Sequence, residues 1–222
     1  MDIARFEREL PRLFDDFPAS PTPRGRRFDD VLEGVPGLAR ENNLALLNLA
    51  ASLLPEGESY VEVGSYRGTS LVAALRENDA HAVAIDDFSL GDGSREQLEA
   101  NLARFGLAGR PEILEGDFEK ILRGDALGGR RVGVYYYDAG HTYEQQLAGL
   151  RLIEPHLADE ALLVVDDSDW ERVERADRDY LASQPRARLL FDIPGDDKGF
   201  PHWWEGVHVI AWDRVTPAQS AA

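Results

Sequence analysis

The sequence of 222 residues has no cysteine. This absence excludes disulfide bonds, a thiolate zinc site and a cysteine nucleophile, and it fits the reducing cytoplasm. No run approaches the roughly 18 apolar residues of a membrane-spanning helix. The first residues have neither the basic start nor the apolar core of a signal peptide. We therefore expect a cytoplasmic protein that does not bind a membrane.

Basic residues are also few. The chain has 24 Lys and Arg against 41 Asp and Glu, which gives a formal net charge of −17 at pH 7. Nucleic-acid binding normally needs a basic face, so the sequence predicts no nucleic-acid partner. The only lysines are Lys120 and Lys198, which leaves few positions for a lysine as catalytic base. The acidity by itself is typical of a soluble protein.

Apolar strands and helical segments alternate from Tyr60 onward, as in a parallel sheet wrapped by helices. The predicted strands are 60–63, 82–86, 112–115, 132–138 and 161–166, and the predicted helices are 70–77, 94–105, 118–122 and 143–154. Strands near 188–192 and 206–212 are joined by a turn-rich segment without a long helix, which predicts an antiparallel hairpin. The predicted fold is α/β, a Rossmann-like doubly wound sheet of about seven strands with a terminal antiparallel hairpin.

Residues 62–70 combine the end of a strand, a glycine turn and the start of a helix. Gly64 and Gly68 remove side chains where a ligand must approach the backbone. The spacing is not G-x-G-x-x-G, and Glu62 would repel a nucleotide pyrophosphate. A cationic or hydroxyl-rich ligand suits this turn better. A nicotinamide-dependent dehydrogenase is further disfavoured because the chain has no Tyr-x-x-x-Lys pair.

The second predicted strand ends in two adjacent acids, Asp86 and Asp87. In open α/β sheets the ligand binds beyond the carboxyl ends of the strands, where a carboxylate can accept both hydrogen bonds of a ribose diol. We assign this role to Asp86, with Asp87 as the alternative if the strand ends one residue later. Acids at such positions are also common as helix N-caps or as solvated loop residues.

Three further acids follow the next predicted strands: Asp138 after the fourth, and Asp166 and Asp167 after the fifth. Adjacent strands lie about 4.8 Å apart, so these carboxylates would crowd together and repel one another unless a cation separates them. Oxygen ligands on rigid strand ends suit Mg²⁺. The alternative is a set of solvated acids without a metal.

The glycine turn, the strand-end acids and the sheet pattern together resemble the class I S-adenosylmethionine-dependent methyltransferases, over about residues 40–212. The order of Asp138 and the Asp166-Asp167 pair is similar to that of the cation-dependent O-methyltransferases of the catechol and antibiotic-sugar types. The resemblance implies that residues 41–222 form a class I methyltransferase domain, preceded by residues 1–40 as an N-terminal extension or lid. It also implies that Asp117 caps the adenine amino group and that Phe118 lines the ring. The implied cofactor-binding residues are Glu62, Gly64, Ser65, Tyr66, Gly68, Ser70, Asp86, Asp87, Asp117, Phe118 and Asp138.

The predicted catalytic residues are Asp138 and His141. His141 lies three residues after Asp138, where the catechol enzyme that the chain resembles has a lysine base. Imidazole has an unperturbed pKa of about 6.5 and can take a hydroxyl proton at neutral pH. His141 could instead be a cap or a partner of Asp138. His202 is a rival base or substrate contact within the aromatic segment 200–205, whose two tryptophans could wall an acceptor pocket or pack in the core.

The sequence thus predicts an S-adenosylmethionine-dependent O-methyltransferase that acts on a hydroxyl of a small molecule with the help of Mg²⁺. Three alternatives remain: a metal-independent methyltransferase with His141 as base, a catalytically silent methyltransferase-like binding protein, and a metal-dependent hydrolase. The sequence does not distinguish among acceptors, leaves N-methylation open, and leaves a homo-oligomer open.

Overall fold

The computed structural model describes residues 1–25 and 27–214. The predicted domain 41–222 therefore ends in eight residues, 215–222, that lie outside the described part. The strands are β1 (Glu58–Val63), β2 (His81–Asp86), β3 (Pro111–Glu115), β4 (Arg131–Tyr137), β5 (Leu157–Asp166), β6 (Ala187–Ile193) and β7 (Val207–Asp213). The helices are α1 (Ile3–Glu9), α2 (Asp29–Gly34), α3 (Glu41–Ser52), α4 (Thr69–Leu75), α5 (Arg95–Arg104), α6 (Phe118–Arg123), α7 (Tyr143–Ile153) and α8 (Glu171–Ser183).

The seven strands form one sheet in the order β3-β2-β1-β4-β5-β7-β6. The pairs among β1 to β5 are parallel, whereas β7 runs antiparallel to both β5 and β6. This arrangement confirms the predicted α/β fold and its terminal antiparallel hairpin. Strand order reverses between β1 and β4, so a ligand crevice is expected beyond the carboxyl ends of these two strands.

Each face of the sheet supports its own hydrophobic core, because successive strand residues point to opposite sides. Tyr60 of β1 and Tyr136 of β4 pack on the side that holds α3 and α4. Val61 and Tyr135, their neighbours in the chain, pack on the side that holds α7 and α8. Burial on both faces explains why the central strands are almost continuously apolar.

The N-terminal segment packs on the same core as the sheet. The aromatic rings of Phe14 and Phe17 lie 5.3 Å and 5.9 Å from the ring of Trp203, between centroids. The indole N–H of Trp203 donates a hydrogen bond to the carbonyl oxygen of Pro18 at 2.8 Å. The segment before β1 therefore fixes the loop between β6 and β7.

Two parts of the fold differ from the prediction. Helix α8 was not predicted, because its stretch is rich in charge and its buried face is formed by Val173, Ala176, Asp177 and Tyr180. Val173, Ala176 and Tyr180 have the spacing of a helix face, but these apolar positions are too few among the charged residues for the prediction to have recognised the helix. Strand β5 begins at Leu157, earlier than the predicted start at Ala161. The prediction placed the start too late because two exposed acids, Asp159 and Glu160, lie within the strand and interrupt its apolar run. Within the described residues, no helix combines the length and the apolar content needed to cross a membrane.

The carboxyl ends of β1 and β4 meet at Gly64. The N–H of Asp138 donates to the carbonyl oxygen of Val63, and the N–H of Gly64 donates to that of Ile85, both at 2.9 Å. Gly64 has φ +92°, and a Cβ added there would lie 1.7 Å from the carbonyl oxygen of Asp138. Only glycine allows this approach.

We expect Gly64→Ala to destabilise the protein by about 3 kcal/mol or more, because left-handed strain adds to a backbone clash. Gly57→Ala is the matched control: Gly57 has φ +85°, but nothing lies within 4 Å of its added Cβ. We expect about 1 kcal/mol for this control. Chemical unfolding of both variants measures the difference, and equal losses would contradict a role for the close approach.

Candidate functional site

A cavity of about 710 Å³ opens beyond the carboxyl ends of β1 to β5. This volume is typical of a small-molecule site. Eleven of the residues predicted from the sequence line it: Gly64, Ser65, Tyr66, Ser70, Asp86, Asp87, Asp117, Phe118, Asp138, His141 and Asp167. Glu62, Gly68 and Asp166, which the sequence also indicated, lie outside its lining.

Asp86 organises the turn after β1. Its Oδ2 accepts the backbone N–H of Tyr66 and its Oδ1 accepts that of Phe88, each at 2.6 Å. Tyr66 and Phe88 both have positive φ, 47° and 52°, so the carboxylate holds two uncommon backbone conformations. Asp87 accepts the N–H of Ser89 at 2.9 Å; hydrogen bonding from the Ser89 side chain, and then from this N–H, lowers the pKa of the Asp87 carboxyl.

Asp117 and Phe118 lie at the far end of the cavity, where β3 leads into α6. Asp117 is the N-cap of α6, and its Oδ1 accepts the N–H of Glu119 at 2.9 Å and that of Lys120 at 3.3 Å. Phe118 packs against Tyr137 with 5.5 Å between ring centroids. The capping role considered from the sequence is therefore present, and both side chains also border the cavity.

Glu62 is fully buried behind the cavity wall. Its two carboxylate oxygens accept hydrogen bonds from the hydroxyls of Tyr60, at 2.6 Å, and Ser70, at 2.9 Å. Burial raises the pKa of Glu62 to about 7, although both hydrogen bonds favour the charged form. Glu62 thus supports the glycine turn from below and holds Ser70, which lines the cavity.

The acids after β4 and β5 form a cluster that includes His141. Asp138, His141 and Asp167 each offer a ligand atom, and these atoms lie within 4.8 Å of one another. Asp166 faces away: its Oδ2 lies 2.5 Å from the hydroxyl of Tyr136, and its Oδ1 accepts the N–H of Asp167. The same tyrosine hydroxyl lies 3.3 Å from Oδ2 of Asp138.

The cluster is electrostatically frustrated. Burial raises the pKa of Asp138 well above its usual value, and repulsion from Asp166, Asp167 and Glu62 adds to the effect. Burial, followed by the charge of Asp166, raises the pKa of Asp167 to about 7. Burial lowers the pKa of His141 to about 4, although its Nε2 lies 3.1 Å from Oδ2 of Asp167. A cation at this point would relieve the repulsion.

A second wall of the cavity comes from residues to which the sequence assigned little or no role. Trp170, Trp204 and Glu205 line the end next to His141, and the loop 37–39 borders it. Of the two tryptophans in the segment 200–205, Trp203 is buried in the core and Trp204 reaches the cavity. His202 is not part of the lining. Trp170 lies only three residues after Asp167, the residue that follows β5. This closeness to the predicted acids could have identified Trp170 from the sequence as a residue of the site.

Comparisons with known proteins fit this architecture. Residues 61–168 match the sequence model of a family described as a methyltransferase domain. No curated protein matches the chain. The match confirms the predicted resemblance to the class I S-adenosylmethionine-dependent methyltransferases.

Similar solved structures span nearly the whole chain. The O-methyltransferase TomG of Streptomyces achromogenes, in complex with S-adenosylmethionine, is 19% identical with a TM-score of 0.62, and the match covers 96% of this chain and 99% of that one. An O-methyltransferase from Bacillus cereus with S-adenosylhomocysteine is 14% identical, with a TM-score of 0.63 and coverage of 94% and 97%. The Podospora anserina methyltransferase PaMTH1, also bound to S-adenosylhomocysteine, is 14% identical, with a TM-score of 0.62 and coverage of 95% and 94%.

The raised pKa of Glu62 gives a pH signature. Between pH 4.5, its ordinary pKa, and about 7, the folded protein binds the proton that the unfolded chain releases, so its contribution to stability falls as pH rises. We expect the unfolding free energy of the wild type, relative to Glu62→Gln, to fall by roughly 3 kcal/mol from pH 4 to pH 8.

Urea unfolding across this pH range measures the difference. Glu56→Gln, in the exposed turn before β1, is the matched control and should follow the wild type at every pH. A pH-independent difference between the wild type and Glu62→Gln would show that the carboxyl titrates normally.

Proposed function

We propose that the protein transfers a methyl group from S-adenosylmethionine to a hydroxyl of a small molecule. The observation that carries the proposal is one continuous cavity that joins the turn held by Asp86 to the cluster of Asp138, His141 and Asp167. A cofactor bound along the first part would direct its methyl group towards the cluster. The match to a methyltransferase domain supports the proposed methyl transfer, as do the similar structures with bound S-adenosylmethionine or S-adenosylhomocysteine named above.

The cofactor would lie along the carboxyl ends of β1, β2 and β3. Gly64, Ser65 and Ser70 would border its methionine part, and Asp86 would accept hydrogen bonds from the ribose, since each carboxylate oxygen keeps a second acceptor position beside its backbone bond. Asp117 and Phe118 would border the adenine. Glu62 and Gly68 would act indirectly, by supporting the turn from behind the wall. Bound S-adenosylmethionine supplies an electrophilic methyl group on a sulfonium, and its positive charge suits the acidic cavity.

His141 would accept the proton of the acceptor hydroxyl. Because its pKa is lowered to about 4, the imidazole is neutral at pH 7 and has one ring nitrogen able to accept a proton. Asp167, whose Oδ2 lies 3.1 Å from Nε2 of the ring, would stabilise the imidazolium that forms. The protein would otherwise contribute mainly by positioning the acceptor in line with the methyl group and excluding water.

A divalent cation such as Mg²⁺ fits the same cluster. Two carboxylates and an imidazole offer atoms within 4.8 Å, and Oδ1 of Asp167 is buried without a hydrogen-bond partner among the described residues. We propose Asp138 and Asp167 as its ligands; the predicted third ligand, Asp166, is engaged by Tyr136. Bound Mg²⁺ would lower the pKa of the acceptor hydroxyl. If Nε2 of His141 binds the metal, it cannot also be the base.

The role of residues 1–40, the kind of acceptor and the cellular location are also proposals. We propose that residues 1–40 act as an extension that shapes the acceptor end, because Gly37, Leu38 and Ala39 border the cavity and Trp203 is tied to Pro18. The acceptor would be a small molecule, and the protein would have neither a nucleic-acid nor a membrane partner. It would act in the cytoplasm.

Calorimetric titration of S-adenosylmethionine tests the cofactor role. We expect micromolar binding to the wild type and a loss of at least about tenfold in Asp86→Asn, because the amide removes a charge that accepts the ribose hydrogen bonds. Asp87→Asn should bind within about twofold of the wild type. The reverse order would transfer the ribose role to Asp87. Absence of binding to folded wild-type protein would overturn the methyltransferase proposal and favour a hydrolase at the acidic cluster.

Turnover by His141→Ala tests the base. We expect kcat to fall about 100-fold or more, with S-adenosylmethionine affinity unchanged, for whichever member of a panel of catechols, phenols and sugars the wild type methylates. His202→Ala, outside the cavity lining, should retain the wild-type kcat. An unaltered kcat in His141→Ala would leave His141 a structural residue.

The same assay in EDTA separates the two roles of the cluster. We expect EDTA to stop turnover and Mg²⁺ to restore it, with a higher Mg²⁺ requirement in Asp167→Asn. If His141→Ala also raises the Mg²⁺ requirement, His141 is a ligand rather than the base. Turnover that EDTA does not change would overturn the proposed Mg²⁺ site and leave the metal-independent mechanism.

A further inference from the structure

The cavity carries a one-sided charge. Seven carboxylate residues line it, and of residues 1–25 and 27–214 no lysine or arginine does. A bound sulfonium would contribute one positive charge at the centre of the cavity. The acceptor end would remain negative, and a wall of one sign repels ligands of the same sign. An acceptor that carries a carboxylate or a phosphate therefore fits this cavity poorly.

Glu205 is the acid at the acceptor end that has no assigned partner of opposite charge. It lines the cavity beside Trp170 and Trp204, and its Oε2 lies 3.4 Å from the indole nitrogen of Trp170. Within the described residues, Glu205 makes no ion pair. Asp167, which is 6% exposed, adds a buried carboxylate oxygen without a hydrogen-bond partner. Two aromatic walls and a carboxylate without an ion pair are the groups that bind an ammonium ion.

The cations near this end are already engaged elsewhere. Arg172 stacks on Trp170 at 4.7 Å from the ring centroid, and its Nε donates to the carbonyl oxygen of His141. Arg40 stacks on Trp204 at 4.5 Å and donates to the carbonyl oxygen of Pro201. Neither lines the cavity, so each holds an indole ring in place from outside; the charge of Arg172 acts on Asp167 and His141, but neither arginine side chain enters the acidic interior.

We propose that the acceptor carries a protonated amine besides the hydroxyl that is methylated, and that Glu205 binds this amine between Trp170 and Trp204. The inference rests on the proposed methyl transfer for the role of the bound molecule, but the amine site itself does not require it. A protonated amine is not nucleophilic, so binding by Glu205 would also direct the methyl group to the hydroxyl.

Three phenols of matched shape test the proposal: tyramine, 4-ethylphenol and 3-(4-hydroxyphenyl)propanoate, which differ in the charge of the side chain. Each is titrated calorimetrically into wild-type protein saturated with S-adenosylhomocysteine, with Mg²⁺ present. We expect tyramine to bind at least about tenfold more tightly than either other compound. Glu205→Gln, which keeps the acceptor for the Trp170 N–H, should remove this preference. Glu144→Gln, an exposed acid on α7 outside the cavity lining, should preserve it.

Three results would overturn the amine site: equal or tighter binding of the propanoate, binding of none of the three phenols, or an unchanged preference for tyramine in Glu205→Gln. The saturating titration with S-adenosylhomocysteine is the separate check on methyl transfer. Protein that does not bind S-adenosylhomocysteine but binds tyramine through Glu205 would overturn the proposed function alone. Protein that binds S-adenosylhomocysteine without preferring tyramine would overturn the amine site alone.

Discussion

The close approach of β1 and β4 at Gly64 is the constraint on which the site depends. The backbone of Asp138 occupies the space that a side chain at position 64 would need. This contact brings the glycine turn and the acidic cluster to the same edge of the sheet, although 74 positions separate Gly64 from Asp138 in the sequence. A larger residue would have to push the strand ends apart and would separate the glycine turn from the acidic cluster.

Close approach also concentrates negative charge. Glu62, Asp138, Asp166 and Asp167 meet at the ends of three adjacent strands, and burial raises the pKa of each carboxyl. Phenol hydroxyls of Tyr60 and Tyr136 solvate the two acids that do not reach the cavity. Of the acids that do reach it, Asp138 shares the hydroxyl of Tyr136 at 3.3 Å, and Oδ1 of Asp167 has no hydrogen-bond partner among the described residues. The cationic ligands proposed above, a sulfonium, a divalent metal and an ammonium, would reduce the repulsion among these carboxylates, and this relief would add to their binding energy.

The sequence indicated the fold and much of the cavity because both follow from local rules. Asp86, Asp117, Asp138 and Asp167 all follow apolar strands, and parallel strands end at one edge of the sheet. The prediction that Asp166 and Asp167 are both metal ligands does not follow from this rule. Asp166 is the last residue of β5, whereas Asp167 begins the following turn with φ 55°. The pair therefore divides between Tyr136 and the cavity, and His141 takes the remaining place in the cluster.

The acceptor end could not be predicted in this way, because distant residues fix it. Trp203 is held by Pro18, Trp204 by Arg40, and the turn before them by Asp169, which accepts the N–H of Gly195 and pairs with Lys198. Residues near both ends of the described chain therefore set the wall proposed to meet the acceptor, whereas the central strands set the proposed cofactor site. In the proposed enzyme, changes in residues 1–40 or in the loop between β6 and β7 would alter acceptor choice without disturbing the sheet, so acceptor specificity would change independently of the methyl-transfer chemistry.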